Sequence, residues 1–112
     1  ETLEQLGNCR VRYLRPPWGR MAAGTLPVIW SSGMTAAMWS FDSLDYEHLS
    51  PVKLLERVKN KKPGPGTVTL FHDDGENTLN ALPEIIDELH GRGLKCVNLD
   101  TMMQAAFGTL RP

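Results

Sequence analysis

His72, Asp73 and Asp74 close a short run rich in β-branched residues, Thr67-Val68-Thr69-Leu70-Phe71, and Gly75 follows them. An imidazole beside a carboxylate can be held in one tautomer and have its cation stabilised, so that it gives up a proton near neutral pH. Two further charged residues, Arg15 and Asp42, close other extended runs. A guanidinium grips a carboxylate through two parallel hydrogen bonds, which suits Arg15 to fixing an acidic catalytic group, although no such base is evident near it. Polar strand ends also arise simply because loops meet water. It is the residue types, more than their number, that favour chemistry.

The elements that must position these groups follow from breakers and periodicity. Lys61-Lys62-Pro63-Gly64-Pro65-Gly66 suits neither a helix nor a central strand, so a strand begins at about Thr67 and delivers His72 at its carboxyl end. Residues 1–6 read as the tail of an amphipathic helix ended by Gly7, and residues 11–14 as a short strand. Pro16 and Pro17 then impose an extended loop over 15–20 that carries Trp18 outward. Thr25 as cap, with Pro27 in the first turn, predicts a helix over 26–32 stopped by Gly33. The mostly apolar run 34–41 predicts one buried strand with a polar end at 42–46.

Ser50 as cap and Pro51 at the first position predict another helix, with Val52, Leu55 and Val58 along one face and Leu54 beside them. Lys59, Lys61 and Lys62 suit its carboxyl end, where the helix dipole favours cations. Thr78 is the expected cap of a second amphipathic helix, with Pro83 near its first turn, Leu82, Ile85, Ile86 and Leu89 as its apolar stripe, and Gly91 as its stop. A last strand over 94–99 and a helical turn from Asp100 and Thr101 through Ala106 complete the chain. Strands alternating with helices at this spacing imply an α/β fold of parallel βαβ units.

At 112 residues the chain is one domain or part of one, and too short for a complete eight-fold barrel. Hydrophobic content of 41%, charged content of 22% and a net charge of -1 describe an ordinary globular sequence. That charge is not basic enough for a nucleic-acid partner, and the longest apolar stretches, such as 36–39, are far short of a membrane span. Cys9 and Cys96 are too few for a disulfide framework and are not spaced as a metal pair. His48 and His90 lack ligand spacing and read as surface histidines. The first residue reads as lying inside a longer native sequence.

Three segments, in register, resemble the polysaccharide deacetylase family, also called the chitooligosaccharide deacetylase homology domain. Arg15-Pro16-Pro17-Trp18-Gly19 is similar to its third motif. Trp39-Ser40-Phe41-Asp42-Ser43-Leu44-Asp45-Tyr46 is similar to its fourth, and Leu70-Phe71-His72-Asp73 to its fifth. The segments 78–83 and 93–97 resemble the helix and last strand of that domain, so the likeness covers nearly the whole chain. The family usually has tyrosine where Trp18 stands and tryptophan where Tyr46 stands, so both aromatics are kept in kind. Its first two motifs, which carry the catalytic base and the metal ligands, lie upstream of these segments.

The resemblance implies that residues 1–112 are the carboxyl-terminal half of a distorted (β/α) barrel. The implied activity is metal-dependent hydrolysis of acetyl groups from an acetylated sugar polymer, usually at N-acetylglucosamine. His72 would be the general acid, Asp42 the partner that tunes it, and Arg15 the group orienting the catalytic aspartate. The Trp18 backbone N–H would help hold the oxyanion, while Pro17, Trp18, Tyr46 and Leu70 would line the sugar groove. This chain would supply no metal ligand. A divalent metal, zinc first by resemblance, would be held by the amino-terminal half, present as a second chain or replaced by a second copy covering the open strand at 11–14. The substrates of such enzymes place the protein outside the cell or in its envelope. Two rivals are a non-catalytic carbohydrate-binding protein with a degenerate barrel, and a free-standing α/β domain using His72, Asp73 and Asp74 as a cation site.

Overall fold

Parallel pairing of very short strands, each flanked by helix, organises the computed structural model of this protein, which describes residues 3–108. The chain divides into two compact units, one running to Met38 and the other beginning at Trp39. The first holds α1 (Leu3–Gly7), β1 (Tyr13–Leu14), α2 (Thr25–Ser31) and β2 (Thr35–Ala36). Residues 1 and 2 of the expected first helix lie outside the described residues. β1 and β2 pair in parallel, Tyr13 with Thr35 and Leu14 with Ala36, so α2 is the crossover of a βαβ unit. The expected strand over 11–14 is shortened to its last two residues.

Gly24, not Thr25, is the residue before α2, and Thr25 is the helix's first member. The start is fixed by a main-chain bond, the Thr25 N–H donating to Ala22 O at 2.9 Å, so no side-chain cap is used. At the other end the Gly33 N–H reaches Trp30 O at 3.0 Å and the Met34 N–H reaches Ile29 O at 3.2 Å. This paired closure needs a left-handed residue, and Gly33 supplies it at φ +70°. Ile29 is the buried side chain of α2.

The second unit holds β3 (Phe41–Asp42), α3 (Pro51–Lys61), β4 (Thr69–Leu70), α4 (Glu76–Gly91) and α5 (Leu99–Phe107). β3 and β4 pair in parallel, Phe41 with Thr69 and Asp42 with Leu70. The apolar run 34–41 is therefore not one strand. Its first part serves β1, with the Ala37 N–H donating to Leu14 O at 2.9 Å, and its last part serves β4, with the Ser40 N–H donating to Val68 O at 2.9 Å. A strand is defined by the chain it bonds to, and this run has two different partners.

Ser50 caps α3 by accepting the Lys53 N–H at 3.4 Å, and Pro51 occupies the first turn where its missing N–H costs nothing. Leu54 and Val58 are the residues this helix buries, whereas Val52 is exposed. The buried face is thus turned by one position from the expected one, because it packs against α4 through Ala81 and Ile85, with Phe41 of β3 completing the cluster. Leu49, Leu55, Phe71 and Leu89 pack around it.

α4 begins at Glu76 behind Gly75, earlier than a cap at Thr78 would allow. Pro83 consequently lies in the helix interior, where it cannot donate to the carbonyl of Leu79. Both residues are on an exposed face, so water can take that carbonyl. The helix ends at Gly91, as expected, and the turn that closes it runs on to Gly93 at φ +78°: the Gly93 N–H bonds His90 O at 2.8 Å and the Leu94 N–H bonds Leu89 O at 3.0 Å. The expected strand over 94–99 is absent. Residues 94–98 have no ladder, and Leu99 already belongs to α5, which Asn98 caps by accepting the Thr101 N–H at 2.8 Å.

Leu54 and Ile85 meet in one cluster and are almost wholly enclosed. Leu54→Ala is expected to cost about 2–5 kcal/mol, and exposed Val52→Ala under about 0.5 kcal/mol, in urea unfolding of the chain. Equal midpoints for the two variants would contradict the core described here.

Candidate functional site

Two carboxylates follow β3, and the turn between them decides which one faces His72. Asp42 ends the strand, and its Oδ1 accepts the Leu44 N–H at 2.9 Å, an aspartate-driven turn that uses its carboxylate locally. Its main-chain carbonyl accepts from Arg57 Nε at 3.1 Å, and the Arg57 guanidinium lies 5.8 Å from the centre of the Phe41 ring. Leu44 then takes a left-handed conformation, φ 60°, and starts a 3-10 turn, Asp45–Glu47, that points Asp45 inward. A non-glycine residue accepts that conformation at a cost of roughly 1–2 kcal/mol, so the surrounding contacts must favour the turn.

Those contacts converge on the Asp45 carboxylate, whose side chain is 1% exposed. Oδ2 accepts the His72 backbone N–H at 2.6 Å and the Thr78 hydroxyl at 3.0 Å, while Oδ1 lies 2.8 Å from His72 Nδ1. The Asp45 N–H in turn donates to Ser43 Oγ at 3.3 Å. Burial by itself would push the Asp45 carboxyl up. The His72 N–H and imidazole, with the hydroxyls of Thr78 and Ser43, pull harder and hold it below its ordinary value. Asp45 is therefore ionised at neutral pH and can only accept, so in a neutral His72 the proton sits on Nδ1 and Nε2 is left for outward chemistry.

The carboxylate that meets the His72 imidazole is thus that of Asp45 and not that of Asp42, which the family resemblance implied as its partner. Asp42 and His72 do lie at one rim, because β3 and β4 run in parallel with Asp42 beside Leu70. Asp42, however, directs its carboxylate to its own turn and to the Tyr46 phenol. Tyr46 stands over His72 edge to face, ring centres 5.6 Å apart at 84°. Desolvation, then the charges of Asp42 and Glu47, push the Tyr46 phenol above its usual range, so it stays neutral. The His72 side chain is 39% exposed, open to a ligand on one side and anchored on the other. Leu70, expected in the groove lining, is instead buried as part of β4.

Arg15, Pro17 and Trp18 belong to the first unit. Arg15 is exposed just beyond β1. The expected extended loop is a tight 3-10 turn, Pro17–Gly19, closed by the Gly19 N–H donating to Pro16 O at 3.0 Å. Trp18 takes φ 59° there and is 90% exposed, its ring presented to solvent as expected.

Among the described residues no group of three His, Cys, Asp or Glu side chains could hold a metal ion. His72, Asp73 and Asp74, all among these residues, therefore do not come together as a cation site. Among the described residues, too, no helix is long and apolar enough to cross a membrane. Sequence reasoning missed Asp45 and Thr78. A sequence signal for the first did exist, since Asp42-Ser43-Leu44 has the spacing by which an aspartate caps its own turn.

Comparison with known proteins gives a consistent result. No protein-family model matches the chain. A peptidoglycan-N-acetylglucosamine deacetylase of Bacillus cereus is 26% identical over 110 residues, which is 95% of this chain and 40% of that protein. A chitin deacetylase of Arthroderma benhamiae is 38% identical over 64 residues, 54% of this chain and 17% of that protein. The chain thus spans less than half the length of these relatives. The crystal structure of a CE4 family pseudoenzyme from Bacillus anthracis superposes with a TM-score of 0.82 at 30% identity, covering 89% of this chain and 35% of that one. A mutant of it with restored enzymatic activity superposes with the same TM-score.

Because the folded Asp45 carboxyl lies below the value of 3.8 for the free side chain, it contributes stability that is fully present above that value. The contribution is lost as pH falls through the lower folded value. Asp45→Asn is expected to flatten the acid limb of a stability–pH profile and to lower stability at neutral pH by about 1–3 kcal/mol. An acid limb unchanged by the substitution would show that Asp45 is not held as described.

Proposed function

We propose, from its kinship with the polysaccharide deacetylases in sequence and backbone, that this chain is the carboxyl-terminal half of a (β/α) barrel that deacetylates an N-acetylglucosamine-containing polysaccharide. The observation that carries the reading is the Asp45–His72 pair, a buried anion 2.8 Å behind an accessible imidazole. Hydrolysis of an acetamide needs a proton on the departing nitrogen, because an amine leaves far more readily than its anion. A His72 cation can donate that proton from Nε2. Asp45, bonded to Nδ1 and to the backbone N–H, holds the ring's orientation throughout.

Tyr46, neutral and half-exposed beside the imidazole, offers a ring edge and a hydroxyl to a sugar. Arg15 is assigned to orient a catalytic aspartate supplied by the amino-terminal half, and the Trp18 N–H to assist the oxyanion. The Trp18 ring with Pro17 offers an apolar plane to a pyranose face. The divalent metal, zinc first, is assigned to ligands on that same half, which is also the proposed partner chain, with a second copy as the other candidate. Peptidoglycan or chitin as substrate places the protein in the envelope or outside the cell.

A second reading, a carbohydrate-binding protein without catalysis, draws on one specific observation: a CE4 family pseudoenzyme shares this backbone. Acetate release from an N-acetylglucosamine oligosaccharide by the assembled barrel separates the two. The deacetylase reading expects release that His72→Ala lowers by roughly 10²–10⁴-fold in kcat. Oligosaccharide binding without any acetate would favour the second reading. The 112-residue chain alone is expected neither to retain a divalent metal after dialysis nor to release acetate, and to gain both when the amino-terminal half is added. Metal retained stoichiometrically by the chain alone would overturn that division of labour.

A further inference from the structure

Thr78 lies at the third position of α4, where a threonine would ordinarily be expected to serve the helix start, yet its hydroxyl leaves the helix and donates to Asp45 Oδ2 at 3.0 Å. The residue is buried, and an ionised carboxylate accepts only, so the direction of this bond is fixed. We infer that Thr78 is a positioning residue: it pins the Asp45 carboxylate so that Oδ1 faces His72 Nδ1 and thereby sets which imidazole nitrogen carries the proton.

The geometry supports this in two independent ways. A carboxylate turns about its Cβ–Cγ bond, and one donor on Oδ2 leaves that rotation open. With the His72 N–H at 2.6 Å and the Thr78 hydroxyl at 3.0 Å on the same oxygen, the plane is fixed from two elements, β4's end and α4's first turn. The second support is at Gly75. A Cβ placed there would stand 3.1 Å from Thr78 Oγ1 and 3.7 Å from its Cβ, so the glycine leaves room for the hydroxyl to occupy this rotamer. Threonine's branched Cβ also restricts χ1, which serine would leave freer while keeping the hydrogen bond. The effect on His72 follows from the hydrogen-bond geometry alone; its catalytic consequence rests on the deacetylase reading.

The test is imidazole nitrogen NMR of the ¹⁵N-labelled chain at a pH where histidines are neutral, with exposed His48 and His90 as internal references. Wild type is expected to hold His72 as the Nδ1–H tautomer. Thr78→Val, which keeps the shape and removes the hydroxyl, should lower the ratio of Nδ1–H to Nε2–H by roughly ten-fold, and Thr78→Ser should restore it to within about two-fold. Should the valine variant not fold, Thr78→Ala gives the same reading without the branched side chain. An unchanged ratio in a folded valine or alanine variant overturns the inference, as does a serine variant as impaired as valine. In the assembled barrel, kcat for acetate release should fall about ten-fold in Thr78→Val with KM unchanged, and serine should rescue it. A wild-type barrel that releases no acetate while the tautomer ratios behave as stated would sink the deacetylase reading and leave the positioning role of Thr78 intact.

Discussion

A buried carboxylate is tolerated only when its lone pairs are met, and Asp45 meets that condition by drawing three segments of chain together. The turn after β3 carries it, the first residues after β4 supply a backbone N–H and an imidazole, and the first turn of α4 supplies a hydroxyl. Removing such a group from water costs several kcal/mol, so it persists only where donors are already positioned. The left-handed residues Leu44 and His48 that bracket the turn become intelligible on this basis, since they are what points the carboxylate inward. The site is thus also a structural joint.

What positions those donors is the apolar cluster beneath them. Leu54 and Val58 of α3 meet Ala81 and Ile85 of α4 over Phe41, which fixes the start of α4 relative to β3. Arg57 links this core to the rim, lying near the Phe41 ring while its Nε holds the Asp42 carbonyl. With that carbonyl held and its side chain closing the turn, Asp42 governs where Asp45 emerges. Its contribution to His72 is indirect, through the backbone of that turn and through Tyr46, whose ring edge meets the imidazole.

The helices were legible because the signals that make them are local. Ser50-Pro51 caps α3 and the stripe through Ile85 and Leu89 marks α4 with no knowledge of the rest of the chain. Strands are not local in this sense. Residues 34–41 look like one buried strand until their partners are known, and 94–98 look like another although no ladder receives them. The site was legible in part for the same reason. His72 and the motif around it follow from the order of residues, but the choice between Asp42 and Asp45 turns on φ 60° at Leu44, which sequence pattern does not specify for a leucine. Thr78 was read as a helix cap because that is its local propensity, and the tertiary demand of a buried carboxylate overrode it.

The kinship with both deacetylases and a pseudoenzyme shows that this backbone does not by itself decide between catalysis and binding. Side-chain chemistry has to decide. A surface that only stacks sugars needs an exposed aromatic such as Trp18 or Tyr46, and nothing behind it. An anion held at 1% exposure against the inner nitrogen of an imidazole whose other face is open is not needed for stacking. Replacing a buried ionic group with apolar residues of similar volume is often neutral or stabilising, so stability alone gives weak reason to keep Asp45. The bonds it makes to His72 and Thr78 instead fix one defined imidazole nitrogen toward the open side, an arrangement that a proton transfer needs and sugar stacking does not.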